Sequence, residues 1–156
     1  MFNQLISDRD ALVHDAGCGT GLVGQLLTDL GFKNVDGSDF STDMLKGAAE
    51  KGCYQQLLQA DYTQTLEFSD NSYDAIISIG VYTKRFKQKF IDEMLRILKP
   101  GGYFLFTCRP LYLEEVADTV KELHTKERLQ MSSVTLDDYM IGQNASAYYV
   151  VLQKSG

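Results

Sequence analysis

Proline is scarce in this 156-residue chain, at two residues, and no long polar tract interrupts it. That argues against a Pro-rich linker or a disordered segment. Long apolar runs are missing too. None approaches the ~20 residues of a membrane span, so no membrane insertion is expected. The three cysteines, Cys18, Cys53 and Cys108, form no CxxC pair and leave an odd number. A disulfide framework or metal site is therefore not expected, and a reducing, cytoplasmic setting is the default. Basic residues are outnumbered, 15 against 21 acidic, for a net charge of −6. General nucleic-acid binding needs a basic face, and this balance argues against it. The first residues, Met1-Phe2-Asn3-Gln4-Leu5, lack the basic-then-apolar order of a signal peptide. What remains is an ordinary folded composition, 44% hydrophobic and 23% charged. With no repeat and no composition break, a single domain over residues 1–156 is expected.

Strand and helix patterns alternate. Ala11–His14 is a short apolar run that ends in a glycine-rich turn. Leu22, Val23, Leu26, Leu27 and Leu30 recur at helical spacing, with Gly31 as a stop. Asn34–Ser38 reads as a second strand. Ser41 is an N-cap candidate for a helix that turns Met44, Leu45 and Ala48 inward and ends at Gly52. Gln56–Ala60 reads as a third strand, and Asp70-Asn71-Ser72 as a turn. Asp74–Ile79 is a β-branched run. Phe86, Phe90, Met94, Ile97 and Leu98 mark a further helix. Pro100-Gly101-Gly102 turns the chain before a strand at Tyr103–Thr107. Leu113, Val116, Val120 and Leu123 mark the last helix. Val134–Ile141 and Ala145–Leu152, split by Gly142-Gln143-Asn144, read as a closing antiparallel hairpin. This order implies an α/β, Rossmann-like, doubly wound and mostly parallel seven-stranded sheet. Such sheets bind ligands at the carboxyl ends of their strands.

The strongest local signal is Asp15-Ala16-Gly17-Cys18-Gly19-Thr20-Gly21. Its alternate glycines allow a tight turn and a close approach of backbone to ligand. The helix that follows aims free N–H groups at that ligand. Two readings compete. Gly19-Thr20-Gly21-Leu22-Val23-Gly24 is a literal GxGxxG, and Asp39 follows Gly19 by about 20 residues, as in a dinucleotide fingerprint. Against that, Asp15 to Cys18 lengthen the loop, and Asp15 beside a pyrophosphate is electrostatically unfavourable. Beside a ligand carrying an ammonium and a sulfonium it is favourable. A further acid, Asp61, ends the third strand.

These segments together resemble the class I S-adenosylmethionine-dependent methyltransferases. Residues 15–21 are similar to the first motif of that family, and Val35-Asp36-Gly37-Ser38-Asp39-Phe40-Ser41 to its second strand. Ala60-Asp61-Tyr62 is similar to the segment that meets the adenine. Tyr73-Asp74-Ala75-Ile76-Ile77-Ser78 and Leu95-Arg96-Ile97-Leu98-Lys99-Pro100-Gly101-Gly102 are similar to the fourth strand and the approach to the fifth. Gly21-Leu22-Val23-Gly24, the region Ser38–Leu45 and Ser78-Ile79-Gly80-Val81 are similar to methyltransferase-like proteins of the Williams–Beuren syndrome region type. The resemblance implies S-adenosylmethionine as cofactor and methyl transfer to a small-molecule acceptor, with a protein acceptor second. It implies that Gly17, Gly19 and Gly21 meet the methionine moiety and that Asp15 is oriented to its amine. Asp39 would take the ribose, Phe40 and Met44 the adenine faces, Asp61 the adenine amine and Tyr62 the ring edge. Ser78 and Ile79 would lie beside the methyl group. The plainer alternatives are a helix cap for Asp39, a turn acid for Asp61 and simple core for Phe40 and Met44.

The chain also departs from the family. About ten residues precede the first strand, where the family usually has a helical lid. An open site is therefore expected, with a second copy or another partner covering that edge. No residue stands out as catalytic base, and proximity can carry much of the barrier to an in-line displacement. Ser78-Ile79-Gly80-Val81-Tyr82 lacks the Asn/Asp-Pro-Pro-aromatic motif of members that methylate amides or adenine amines. Cys18 reads as a small filler in the turn. His14 is either a core histidine or a substrate-end group, and His124 is structural at a helix C-terminus. Tyr82 is either a substrate-contacting hydroxyl or a packed aromatic. Lys84, Arg85, Lys87 and Lys89 form a basic patch at the start of a helix. Lys84 and Arg85 are candidates for attracting an acidic acceptor; otherwise the patch is a solvated face. A binding module without turnover and a nicotinamide dehydrogenase remain as other readings.

Overall fold

A computed structural model describes residues 1–83, 87–140 and 145–156. Among them, seven strands form one sheet in the order β3-β2-β1-β4-β5-β7-β6. The strands are β1 (Leu12–Ala16), β2 (Asn34–Asp39), β3 (Gln56–Gln59), β4 (Tyr73–Ser78), β5 (Leu98–Cys108), β6 (Leu129–Met140) and β7 (Ala145–Lys154). The helices are α1 (Phe2–Leu5), α2 (Leu22–Asp29), α3 (Thr42–Lys51), α4 (Lys87–Ile97) and α5 (Leu113–Thr125). The first five strands pair in parallel, and β7 then runs antiparallel between β5 and β6. The mostly parallel sheet with a closing hairpin is thus the expected one. The residues expected to split that hairpin, Gly142 to Asn144, lie outside the described residues, as does Phe86.

The strand period of two sorts β1 between two cores. Val13 joins Leu27, Phe32, Val35 and Ile77 on the face covered by α1 and α2. Ala16 joins Ile76, Phe90, Met94 and Phe104 on the face covered by α4 and α5. The one-turn α1 was not legible beforehand: Phe2 packs its ring 5.6 Å from that of Phe32. α3 begins where Ser41 Oγ accepts from the Met44 amide at 3.3 Å and ends at Gly52, φ 65°. Met44 does not point inward as expected; it is 45% exposed, and Ala48 supplies the buried contact. The Pro-Gly-Gly turn lies inside β5. Tyr73 pairs with Leu98 and Ala75 with Tyr103, so residues 99–102 bulge opposite Asp74. Lys99 and the Leu12 amide both bind the Asp74 carboxylate there.

The long connection between β3 and β4 is held from α4. Arg96 donates to the carbonyls of Leu66 and Phe68 and pairs with Asp70 and the buried Glu93. Glu93 in turn accepts from the Leu66 amide at 2.9 Å. This satisfied network fixes the loop that carries Asp61 and Tyr62 beside the carboxyl ends of the parallel strands. No helix among the described residues is long and apolar enough to cross a membrane.

Candidate functional site

The glycine loop leaves β1 with Gly17, Gly19 and Gly21 all at positive φ, 77°, 54° and 87°. At Gly17 space is as limiting as the dihedral: a Cβ would lie 2.1 Å from Val81 Cγ2. The loop is tied to β2. The amides of Gly17 and Cys18 donate to the Ser38 carbonyl at 2.8 and 2.9 Å. The Gly19 amide donates to Asp39 Oδ2 at 3.0 Å, and Asp39 Oδ1 accepts from the Ser41 amide at 2.9 Å. Asp39 is half-buried and therefore links loop, strand end and the start of α3.

Asp15 is 1% exposed. Its Oδ2 accepts from Tyr54 Oη at 2.6 Å, while Oδ1 is buried with no hydrogen-bond partner among the described residues. Burial raises its pKa to about 7; the Asp39 charge raises it further, and the Tyr54 hydroxyl and the Gly24 amide oppose the rise. Tyr54 lies in the turn before β3 and was not singled out from sequence. Gly24, a glycine in a helix interior, was the available signal. Such a residue costs about 1 kcal/mol relative to Ala and marks a close approach. Here a Cβ would sit 2.2 Å from Tyr54 Cζ, and the Gly24 amide donates to Tyr54 Oη at 3.2 Å.

On the opposite face of β1, His14 is fully buried. Its Nε2 lies 2.9 Å from Ser38 Oγ, which lies 2.7 Å from Tyr62 Oη. Tyr62 Oη accepts from the Gly17 amide at 2.7 Å. Tyr62 is 3% exposed and holds the glycine loop from within the core, so it does not offer the ring edge expected of it. His14 packs edge-on to Phe68 and near Tyr73, and burial pushes its pKa down to about 3. It sits in the core as a neutral histidine, but the plain reading of a satisfied core histidine holds only for Nε2: Nδ1 is buried with no hydrogen-bond partner among the described residues.

The other expected residues divide. Phe40 and Met44 stay 57% and 45% exposed, so neither is plain core. Asp61 is half-buried, and its Oδ1 accepts from the Thr63 amide and hydroxyl at 2.9 and 2.7 Å. It also borders a cavity of about 270 Å³ with Gln59, Leu66 and Phe68. Ser78 is buried and donates to the Ala16 carbonyl at 2.7 Å, joining β4 to β1 at the loop's root. Ile79 is half-buried beside it. Tyr82 is a packed aromatic, 3% exposed, whose hydroxyl donates to Glu115 at 3.2 Å. The substrate-contacting reading therefore fails for it. Lys84 and Arg85 lie outside the described residues. Of the basic patch, Lys89 reaches Thr65 and Glu93, an internal engagement. His124 Nε2 meets Ser132 Oγ at 2.8 Å near the end of α5. Burial and the charges of Asp15 and Asp39 push the Cys18 thiol up to about 12, as suits a filler.

A family described as methyltransferase domain matches residues 14–106. A probable tRNA methyltransferase 9B of Mus musculus is 35% identical over 108 residues, covering 65% of this chain and 23% of that protein. A demethylmenaquinone methyltransferase of Paenarthrobacter aurescens is 38% identical over 124 residues, covering 73% of this chain and 48% of that protein. The chain thus spans less than half of either relative. A methyltransferase structure from Methanosarcina mazei, described as S-adenosylmethionine-dependent, aligns over 99% of this chain and 96% of its own. Its TM-score is 0.75 at 18% identity, a likeness of fold.

Proposed function

The chain belongs to the methyltransferase-domain family, and from that premise we propose that it transfers a methyl group from S-adenosylmethionine to a small-molecule acceptor. When bound, S-adenosylmethionine supplies an electrophilic methyl group on a sulfonium. One observation carries the reading: Asp15 keeps a buried carboxylate oxygen without a partner at the root of a glycine loop. An unpaired buried acceptor costs about 1–3 kcal/mol, and a cationic amine removes that cost.

The remaining roles follow from the chemistry of each group. Asp39 spends one lone pair of each oxygen on a backbone amide. A carboxylate has about four acceptor sites, so two remain for the paired hydroxyls of a ribose. Phe40 and Met44 give exposed apolar surface suited to the faces of adenine, and Asp61 is an acceptor suited to its amine. The Gly17–Gly21 backbone would hold the methionine moiety. Ser78 and Ile79 close the end of β4 from which the acceptor would be aligned. No side chain is needed as base for an acceptor that is already nucleophilic; orientation and exclusion of water lower the barrier.

The relatives' names divide between RNA and a quinone precursor. The acidic balance of this chain supports the small molecule, since RNA brings a charge of its own sign at every phosphate. Glu114, Glu115 and Asp118 add to this by lining a cavity of about 400 Å³ beyond β5. The test is calorimetric titration with S-adenosylhomocysteine, with NADH as control. Micromolar binding of the first alone, lost in Asp39→Ala, is expected. Binding of NADH alone would replace the reading with a dehydrogenase. Cofactor binding without methyl transfer to any small-molecule, protein or RNA acceptor tested would favour a module without turnover.

A further inference from the structure

Tyr54 occupies a slot made by three glycines on three different elements. A Cβ at Gly21, at the loop's end, would lie 3.1 Å from Tyr54 Cε2. One at Gly24 in α2 would lie 2.2 Å from Cζ, and one at Gly37 in β2 would lie 2.9 Å from Cε1. The ring therefore passes between helix and sheet where any side chain would block it. Its hydroxyl emerges on Asp15, donating to Oδ2 at 2.6 Å and accepting from the Gly24 amide at 3.2 Å. Both hydrogen-bonding functions of the phenol are used, and Asp15 is left with one unpaired oxygen, Oδ1.

We propose that Tyr54 is a positioning residue for the cofactor's ammonium group: it takes Oδ2 of Asp15 and so presents Oδ1 alone to the cationic end of the methionine moiety. This rests on the cofactor reading above. A consequence is that Tyr54 governs the pH at which the site is competent, because only ionised Asp15 attracts an ammonium. The groups that act on Asp15 are few. Burial and the Asp39 charge oppose its ionisation, and the Tyr54 hydroxyl and the Gly24 amide favour it. Cys18 in the loop and Cys53 beside Tyr54 sense its charge in return. The Lys51 side chain of α3 passes Gly21. Removing the phenolic donor raises the pH at which Asp15 ionises.

The experiment uses the whole chain and S-adenosylhomocysteine, titrated between pH 5.5 and 8 in wild type, Tyr54→Phe and Asp15→Asn. The free proteins, labelled with ¹³C at aspartate carboxyls, are titrated by NMR in parallel. Wild-type affinity is expected to be about tenfold weaker at pH 6 than its plateau, following the ionised fraction of a group titrating near 7. Tyr54→Phe should shift both the binding profile and the Asp15 carboxyl midpoint to higher pH, with affinity recovering as pH rises. Asp15→Asn should bind weakly and without this pH dependence. An equal loss at every pH in Tyr54→Phe, with the midpoint unmoved, would mean simple packing and overturn the proposal. Absence of binding by wild type at any pH overturns the cofactor reading and the proposal together.

Discussion

Replacing Asp15 by Asn should change how the stability of the fold depends on pH, and the size follows from two neighbours on β1. Asp15 titrates at about 7 in the folded chain, against an ordinary 3.8. Between those values the folded chain holds a proton that the unfolded chain has released, so this group makes stability fall as pH rises. His14 titrates at about 3 against an ordinary 6.5. Between those values the unfolded chain takes a proton that the folded chain refuses, so this group makes stability fall as pH drops. The windows overlap from about pH 4 to 6.5, and each group contributes about 1.4 kcal/mol per pH unit with opposite sign. In wild type the two slopes cancel there. Asp15→Asn removes one of them. Its stability relative to wild type should rise by about 2–3 kcal/mol between pH 4.5 and 6.5, leaving the acid sensitivity of His14 uncovered. His14→Gln should show the opposite trend. Urea unfolding followed by far-UV circular dichroism at four pH values, with the three proteins in parallel, gives these differences directly. Parallel curves for Asp15→Asn and wild type would show that Asp15 ionises at its ordinary value in the fold, and the burial argument would be wrong.

Three further outcomes are expected. Gly24→Ala puts a methyl group into the Tyr54 ring and should destabilise by about 1–3 kcal/mol while weakening S-adenosylhomocysteine at least tenfold. Gly19→Ala meets no atom of the described residues within 4 Å and carries the strain of φ 54°, about 1–2 kcal/mol; thermal melts and calorimetry separate the two. Arg96→Ala removes the guanidinium from Asp70, from two carbonyls and from Glu93, which keeps the Leu66 amide and Lys89, and should cost about 2–4 kcal/mol in urea unfolding. A loss under 1 kcal/mol would show that the β3–β4 connection is held by packing alone.

The sheet was legible in the sequence because its signals are local. Period-two and period-3.6 apolar patterns, the Ser41 cap and Gly52 placed five of the seven strands and most helices to within a residue or two; β5 and β6 both began earlier than their patterns suggested, β5 at Leu98 ahead of the Pro-Gly-Gly turn and β6 at Leu129. The glycine loop and Asp39 were legible because the backbone there needs residues without Cβ and a nearby acceptor. Tyr54 was not, since its partner Asp15 is 39 residues away and nothing near Tyr54 announces a phenol's destination. Tyr62 was placed in the right loop with the wrong orientation: a hydroxyl able to bond Gly17 and Ser38 is worth more inside than at a ring edge. Met44 followed the helix period, but it stands in the first turn of α3 and stays 45% exposed; periodicity alone had turned it inward. α1 is too short for any periodicity to show.

β3 is one of the two edge strands of the sheet, four residues long and, among the described residues, bonded to β2 alone. Yet Tyr54 before it and Tyr62 after it reach back to Gly24 and Gly17, the two flanks of the glycine loop. The loop's order is thereby tied to the segment that opens most readily, because an edge strand exchanges its amides through small local fluctuations. Hydrogen exchange at Gln56–Gln59 and at Gly17–Gly24 should then share one opening rate. The border of the sheet keeps time for its centre.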